Sequence, residues 1–379
     1  MGDHLSRRLW LLQSEALYAE ARRRTRLEDF GDPSIEPALS ILVNSLELEA
    51  DLHPLGRFFM RVHLRELLET RLRLINTWSG QLEALQASLI QRPVFITGMP
   101  RSGSTFLHEL LAEDPENRVP RVWEVMFPIP IGSKPPKKVD PRVRKAEASL
   151  WWFRRLAPGA DSVYPMRACT PHECVAIHSY TLLSEEFVSI CHIPTYEAFL
   201  HRADLAPTYR WQKRFLQYLQ LGRSKRRWVL KSPDHEYGLD KLLRVFPDAV
   251  VIQTHRNPVQ VVRSQIQLTK VLEGLFGRPG ERDQLGMSEA RKIGGALRLP
   301  PQAPTAGDLH HAQGRGPPAA ASVPDSQQRL PAQASCQRRA AGGRPFAAQP
   351  QQFRCGEPRN MRPRSLRSSR HESPRSSGW

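Results

Sequence analysis

The segment Val94-Phe95-Ile96-Thr97-Gly98-Met99-Pro100-Arg101-Ser102-Gly103-Ser104-Thr105-Phe106 does more than any other to limit what this chain can become. A short apolar run stops at a glycine, as a buried strand does. A loop with a second glycine follows, and Phe106, Leu107, Leu110 and Leu111 then mark one face of a helix. The same texture returns downstream. Trp228-Val229-Leu230 reads as a strand, Leu239, Leu242, Leu243 and Phe246 as a helix face, and Ala249-Val250-Val251-Ile252-Gln253-Thr254 as another buried strand. The chain between these last two strands is long enough for a right-handed helical crossover. Such alternation specifies an α/β fold, a P-loop-like parallel sheet flanked by helices.

Around this centre the chain divides by composition. Residues 1–90 read as a helical N-terminal cap. Leu64, Leu67, Leu68, Leu72 and Ile75 recur at helical spacing, with Arg65, Glu66, Glu69, Arg71 and Arg73 expected on a solvated face. Residues 91–293 form the α/β domain. Within it, 120–227 is a Pro- and Trp-rich insertion suited to a substrate pocket, with helical patches near 173–190 and 208–220. Trp151, Trp152 and Trp211 in that insertion are expected in the core. Residues 294–379 contain no Ile, Lys or Tyr but 12 Pro and 13 Arg. Such a stretch buries too little apolar surface to offset chain entropy, so a disordered basic tail is expected. The change near Arg291-Lys292-Ile293 falls within a helical pattern. Both a solvated tail and translation in a shifted reading frame fit it.

Charge and cysteine content exclude several classes. The formal net charge is +17, but the tail alone carries 13 Arg against four acids. The excess is therefore concentrated there, and without interleaved aromatics the tail does not read as a specific nucleic-acid binder. No run approaches 18 apolar residues, so no transmembrane segment is expected, and the N-terminus lacks the apolar core of a secretory signal. Five widely spaced cysteines suit a reducing, cytoplasmic setting. Cys169 and Cys174, which flank His172, have the wrong spacing for zinc, so no metal is expected.

The first loop is built to hold an anion. Backbone N–H groups of the loop and first helical turn converge on one spot, where the helix dipole adds positive charge. Gly103 permits close approach, Ser104 and Thr105 supply hydroxyls, and Arg101 supplies a permanent cation. The spacing from Gly98 to Gly103 mimics a Walker A loop, yet Ser104 stands where that loop requires lysine. A triphosphatase also needs an acid after a second strand, whereas strand 249–254 leads into His255-Arg256-Asn257-Pro258, a basic end. Asn257 and Pro258 are good N-cap and first-turn residues, and Ser264 lies two turns into the helix they begin. Ligands of parallel sheets gather at the strands' carboxyl ends, so both loops are expected to open on one edge.

With these residues in view, the chain resembles the sulfotransferase superfamily, and most closely its bacterial branch with a PRSG-S/T-T loop. The resemblance covers roughly residues 10–290. It implies 3′-phosphoadenosine 5′-phosphosulfate as donor, bound by Arg101, Ser102, Gly103, Ser104 and Thr105 at its phosphosulfate. Phe106 falls where many members place an aromatic against adenine, and Arg256 and Ser264 match the pair that holds the 3′-phosphate. Val229-Leu230-Lys231-Ser232-Pro233-Asp234-His235 resembles a segment carrying active-site residues. The family's later helices have no counterpart in the tail.

The resemblance also implies in-line transfer of a sulfuryl group to a hydroxyl on a small molecule, lipid or glycan. By analogy with phosphoryl transfer, Arg101 and Lys231 would stabilise charge on the leaving oxygen. His235, just after a strand end near Lys231, is the first choice for general base; Glu124 is second, and His172 and Glu173 are third. Two other readings stand beside this one: a nucleotide kinase or triphosphatase with a degenerate Walker loop, and an inactive, truncated nucleotide-binding relic.

Overall fold

The structure is a computed structural model that describes residues 11–33, 35–132, 139–156, 165–223 and 226–278, with Gly286, Glu289, Ala290 and Gly294 as isolated positions beyond. The expected disordered tail and the break near residue 293 therefore lie outside the described residues.

Among the described residues four helices come first: α1 (Ser14–Thr25), α2 (Ile35–Leu48), α3 (Pro54–Ser79) and α4 (Leu82–Ala87). Helix α3 starts where His53 caps it, Nδ1 accepting from the Gly56 amide at 2.8 Å, with Pro54 in the first turn. Leu64, Leu67, Leu68 and Leu72 are buried as their spacing predicts. The opposite face departs from expectation, because Glu69 and Arg71 are buried too. Arg71 donates from Nε to the Phe30 carbonyl at 2.6 Å and from Nη1 to the Tyr180 carbonyl at 2.9 Å. Its guanidinium also lies 4.3 Å from the Trp211 ring centroid. Two carbonyls and an aromatic face satisfy the charge, which is what allows an arginine inside a core. Burial still lowers its pKa to about 10.

The sheet follows. Strand β1 (Val94–Gly98) leads through the glycine loop into α5 (Ser104–Ala112), and β2 is a two-residue strand (Asn117–Arg118). Helices α6 (Val122–Met126), α7 (Pro141–Leu156), α8 (Cys174–His178), α9 (Glu185–Ile190), α10 (Pro194–Leu200) and α11 (Ala206–Gln220) occupy the long intervening segment. Then come β3 (Arg227–Lys231), α12 (Leu239–Val245), β4 (Val250–Thr254) and α13 (Pro258–Phe276). The strand order is β2-β3-β1-β4 and every pairing is parallel. Strand β1 is central and wholly buried, which its unbroken apolar run demands. Strand β4 does not match its reading as a buried strand. It is paired only with β1 among the described residues and is partly exposed, with Val250 open to solvent.

One buried cluster runs from Leu12 and Leu17 through Leu42, Leu68 and Phe95 to Phe187, Trp211, Phe215 and Phe246. Residues from the N-terminal helices, the sheet and the 120–227 segment thus share a single core. Trp211 lies in it as expected, whereas Trp151 and Trp152 are exposed.

Candidate functional site

The parallel register brings three strand ends to one edge of the sheet: Gly98 is opposite Thr254, and Ile96 is opposite Lys231. The loop from β1 to α5 turns sharply there. Gly98 has φ +124°, and a Cβ on it would meet the Thr254 carbonyl oxygen at 2.3 Å, so both its backbone angle and the approach of β4 require glycine. Gly103, at the N-cap of α5, has φ +93° and open space where a side chain would stand. Arg101 adopts φ +63°, a left-handed conformation uncommon for a long side chain and concentrated at functional loops.

The two loops are tied together. Arg256 Nη1 donates to the Arg101 carbonyl at 2.9 Å, and Arg101 Nε donates to Ser264 Oγ, on α13, at 3.0 Å. The Ser102 and Thr254 hydroxyls are 2.6 Å apart, and Thr254 Oγ1 in turn donates to the Thr97 carbonyl at 3.1 Å. Helix α13 starts as the sequence predicts, with the Asn257 side chain accepting from the Val259 amide at 3.0 Å and Pro258 in the first turn. Ser104 is buried, while Thr105 and Phe106 are exposed beside the loop. Arg101, Ser102, Gly103, Arg256 and Ser264 thus form one cradle where a helix N-terminus and two guanidinium groups converge. That arrangement suits a ligand with more than one anionic group.

Lys231 ends β3 on the same edge. It is 3% exposed, and its Nζ is 2.5 Å from Glu173 Oε1. Glu173 keeps 15% of its side chain exposed at the start of α8. His172, beside it, is anchored by its backbone N–H to the Pro120 carbonyl at 2.7 Å, and burial lowers its imidazole pKa.

The other two sequence-derived candidates for the base are held inside the protein. His235 has no exposed surface. Its Nδ1 lies 3.2 Å from the Tyr209 hydroxyl, its ring packs edge-on against Phe95, and burial drives its pKa down to about 3. Glu124 is buried, with Oε1 accepting from Arg118 at 3.1 Å and from Arg223 at 2.8 Å, and Oε2 from the Arg121 amide at 3.2 Å. Both carboxylate oxygens are engaged in fastening α6.

Sequence reasoning did not find the His63–Glu186 ion pair, 3.0 Å between Nε2 and Oε1, in which the Glu186 carboxylate also acts on His172. It joins α3 to α9, and no local pattern signals a pairing across such a distance in the chain. Among the described residues, no group of three or more His, Cys, Asp or Glu is placed to hold a metal ion, and no helix is long and apolar enough to cross a membrane.

The fold has counterparts among solved structures. The solved structure of sulfotransferase STF1 from Mycobacterium tuberculosis superimposes with a TM-score of 0.66 at 30% identity, over 76% of this chain and 80% of that one. Sulfotransferase STF9 from Mycobacterium avium gives 0.66 at 27% identity, over 75% and 73%. The omega-hydroxy-beta-dihydromenaquinone-9 sulfotransferase Stf3 of Mycobacterium bovis is 26% identical over 234 residues, which is 56% of this chain and 55% of that protein. The chain thus spans about half the length of the curated relatives it matches. A model of the Sulfotransferase family matches residues 93–293, the stretch holding both loops, Lys231 and Glu173, and the chain belongs to that family.

Proposed function

We propose that the protein transfers a sulfuryl group from 3′-phosphoadenosine 5′-phosphosulfate to a hydroxyl acceptor. The observation that carries this reading is the joining of the two loops by Arg256 to the Arg101 carbonyl and Arg101 to Ser264. The residues present fit such a donor. The N–H groups from Gly103 to Thr105, the Ser102 hydroxyl and the Arg101 guanidinium suit its 5′ anionic end, and Arg256 with Ser264 suits a second phosphate. Phe106, exposed beside the loop, offers a face for a base.

The donor supplies an activated sulfuryl group, and the chain supplies position, charge and a place for a proton. Arg101 and Lys231 lie on the edge where negative charge would grow on the leaving oxygen, and fixed cations there act without reorganisation. Among the candidates for taking the acceptor's proton we favour Glu173. It is held by Lys231 at that edge and retains exposed surface, whereas His235 and Glu124 are enclosed. For the acceptor we favour a lipid alcohol, the class indicated by the name of the Stf3 relatives.

Calorimetry tests the reading. Adenosine 3′,5′-bisphosphate is expected to bind with equal affinity with and without magnesium, and more tightly than ATP with magnesium. Preference for magnesium–ATP would favour a kinase or triphosphatase instead.

A further inference from the structure

Helix α7 carries a face that the proposed transfer chemistry does not use. Its inner side packs by Ala146 and Leu150, and Arg142 is buried against Asp140 and the Trp123 ring. Arg144, Lys145, Ala148, Trp151, Trp152 and Arg155 are all exposed. At 100° per residue these six fall within one continuous stripe. Trp151 is 51% and Trp152 59% exposed, with ring centroids 4.8 Å apart, so the indoles support each other and leave much of their surface in water. The helix's one acid, Glu147, does not neutralise the stripe. It accepts from the Ala168 amide at 2.6 Å and lies 3.8 Å from Arg154.

Two neighbouring exposed tryptophans are costly for a soluble surface. Indoles flanked by arginine and lysine, with no acid among them, match the interfacial region of a bilayer. There the ring sits at headgroup depth and the cations meet lipid phosphates. We infer that the α7 face docks the protein on a bilayer of anionic phospholipid. A second copy of the chain fits this face less well, because pairing it with itself would oppose cation to cation. The inference does not depend on the proposed reaction, since docking is a binding event that can be read without turnover.

The test is flotation of the full chain with phosphatidylcholine vesicles, with or without phosphatidylglycerol. Binding is expected to anionic vesicles and to weaken with salt. The double substitution Trp151→Ala with Trp152→Ala should lower the partition about tenfold or more. Arg144→Glu with Arg155→Glu should lower it roughly fivefold per cation removed. All four side chains are exposed, so melting temperatures should stay at the parental value, confirming that each variant is folded. Any binding to anionic lipid by the Arg-rich residues 294–379 would be indifferent to these substitutions. Equal partition of parent and both variants would overturn the inference. So would loss of self-association, rather than of vesicle binding, in the tryptophan variant.

Discussion

The guanidinium of Arg256 donates to the backbone carbonyl of Arg101 at 2.9 Å, so a residue after β4 braces the loop after β1 at its most strained position. The contact couples the two halves of the proposed anion site. Distortion of either loop is transmitted to the other, and neither is expected to bind ligand alone.

Arg101→Ala and Arg256→Ala are each expected to weaken binding of adenosine 3′,5′-bisphosphate by about 10- to 100-fold, since a hydrogen bond to a charged group contributes roughly 1.5–3 kcal/mol. The Arg256 side chain is exposed, so its loss should leave the melting temperature nearly unchanged. Titration calorimetry on both variants checks this, and an unaltered dissociation constant would remove that arginine from the site.

Gly98→Ala should damage the fold itself. The added methyl would meet the Thr254 carbonyl at 2.3 Å on a backbone that side chains rarely adopt, and the β1–β4 pairing would have to shift. A loss of about 2–4 kcal/mol is expected from strain and overpacking combined. Chemical denaturation measures it. Gly103→Ala, with no atom near the new Cβ, should cost less, because only its φ of +93° is penalised.

Glu173→Gln and Glu124→Gln separate chemistry from architecture. Glutamine at 173 can still accept from Lys231 but no longer balances its buried charge, so some stability is lost while the protein stays folded, donor affinity persists and turnover falls about 10²- to 10⁴-fold, the usual contribution of a general base. Glutamine at 124 weakens two arginine contacts and should cost about 1–3 kcal/mol of stability with turnover per folded molecule preserved. The reverse pattern would move the base to Glu124.

Acidification should destabilise the protein well above the carboxylate range. Burial holds His235 at about 3 and His108 at about 4, and it lowers His172 as well. Unfolding restores each to about 6.5. Below that pH the unfolded chain binds protons that the native state refuses, so stability is greatest above about 6.5 and falls as pH drops toward 3. His63 acts in the opposite sense: burial alone would lower it, but Glu186 prevails and raises its pKa. Three lowered imidazoles outweigh one raised. Each proton taken up only on unfolding contributes about 1.4 kcal/mol per pH unit at full effect. Urea midpoints measured between pH 7 and 4 should fall steadily, and a flat profile would refute this account.

Much of the architecture was readable in advance because its causes are local. The apolar run of β1, the glycines at 98 and 103, and the Asn257-Pro258 start of α13 act over a few residues, through φ preferences and hydrogen bonds to near neighbours. The leucine face of α3 is periodic for the same reason. The proposed anion-binding role of the loop could be read from Arg101, Ser102 and Gly103, since backbone N–H groups at a helix start converge whatever the rest of the chain does.

Other properties were settled only when distant segments met. Arg71 reads as a surface charge until the Phe30 and Tyr180 carbonyls enclose it. His235 follows a strand end, a position that suits a catalytic histidine, but Tyr209 and Phe95 pack against it. Glu173 is one acid among many until Lys231 arrives from β3. Trp151 and Trp152 have the composition of a core and lie on the outside. Burial and pairing are sums over neighbours far away in the chain. A string of residues carries the propensity of each position, while the desolvation of a charge, and hence its chemistry, belongs to the packed molecule.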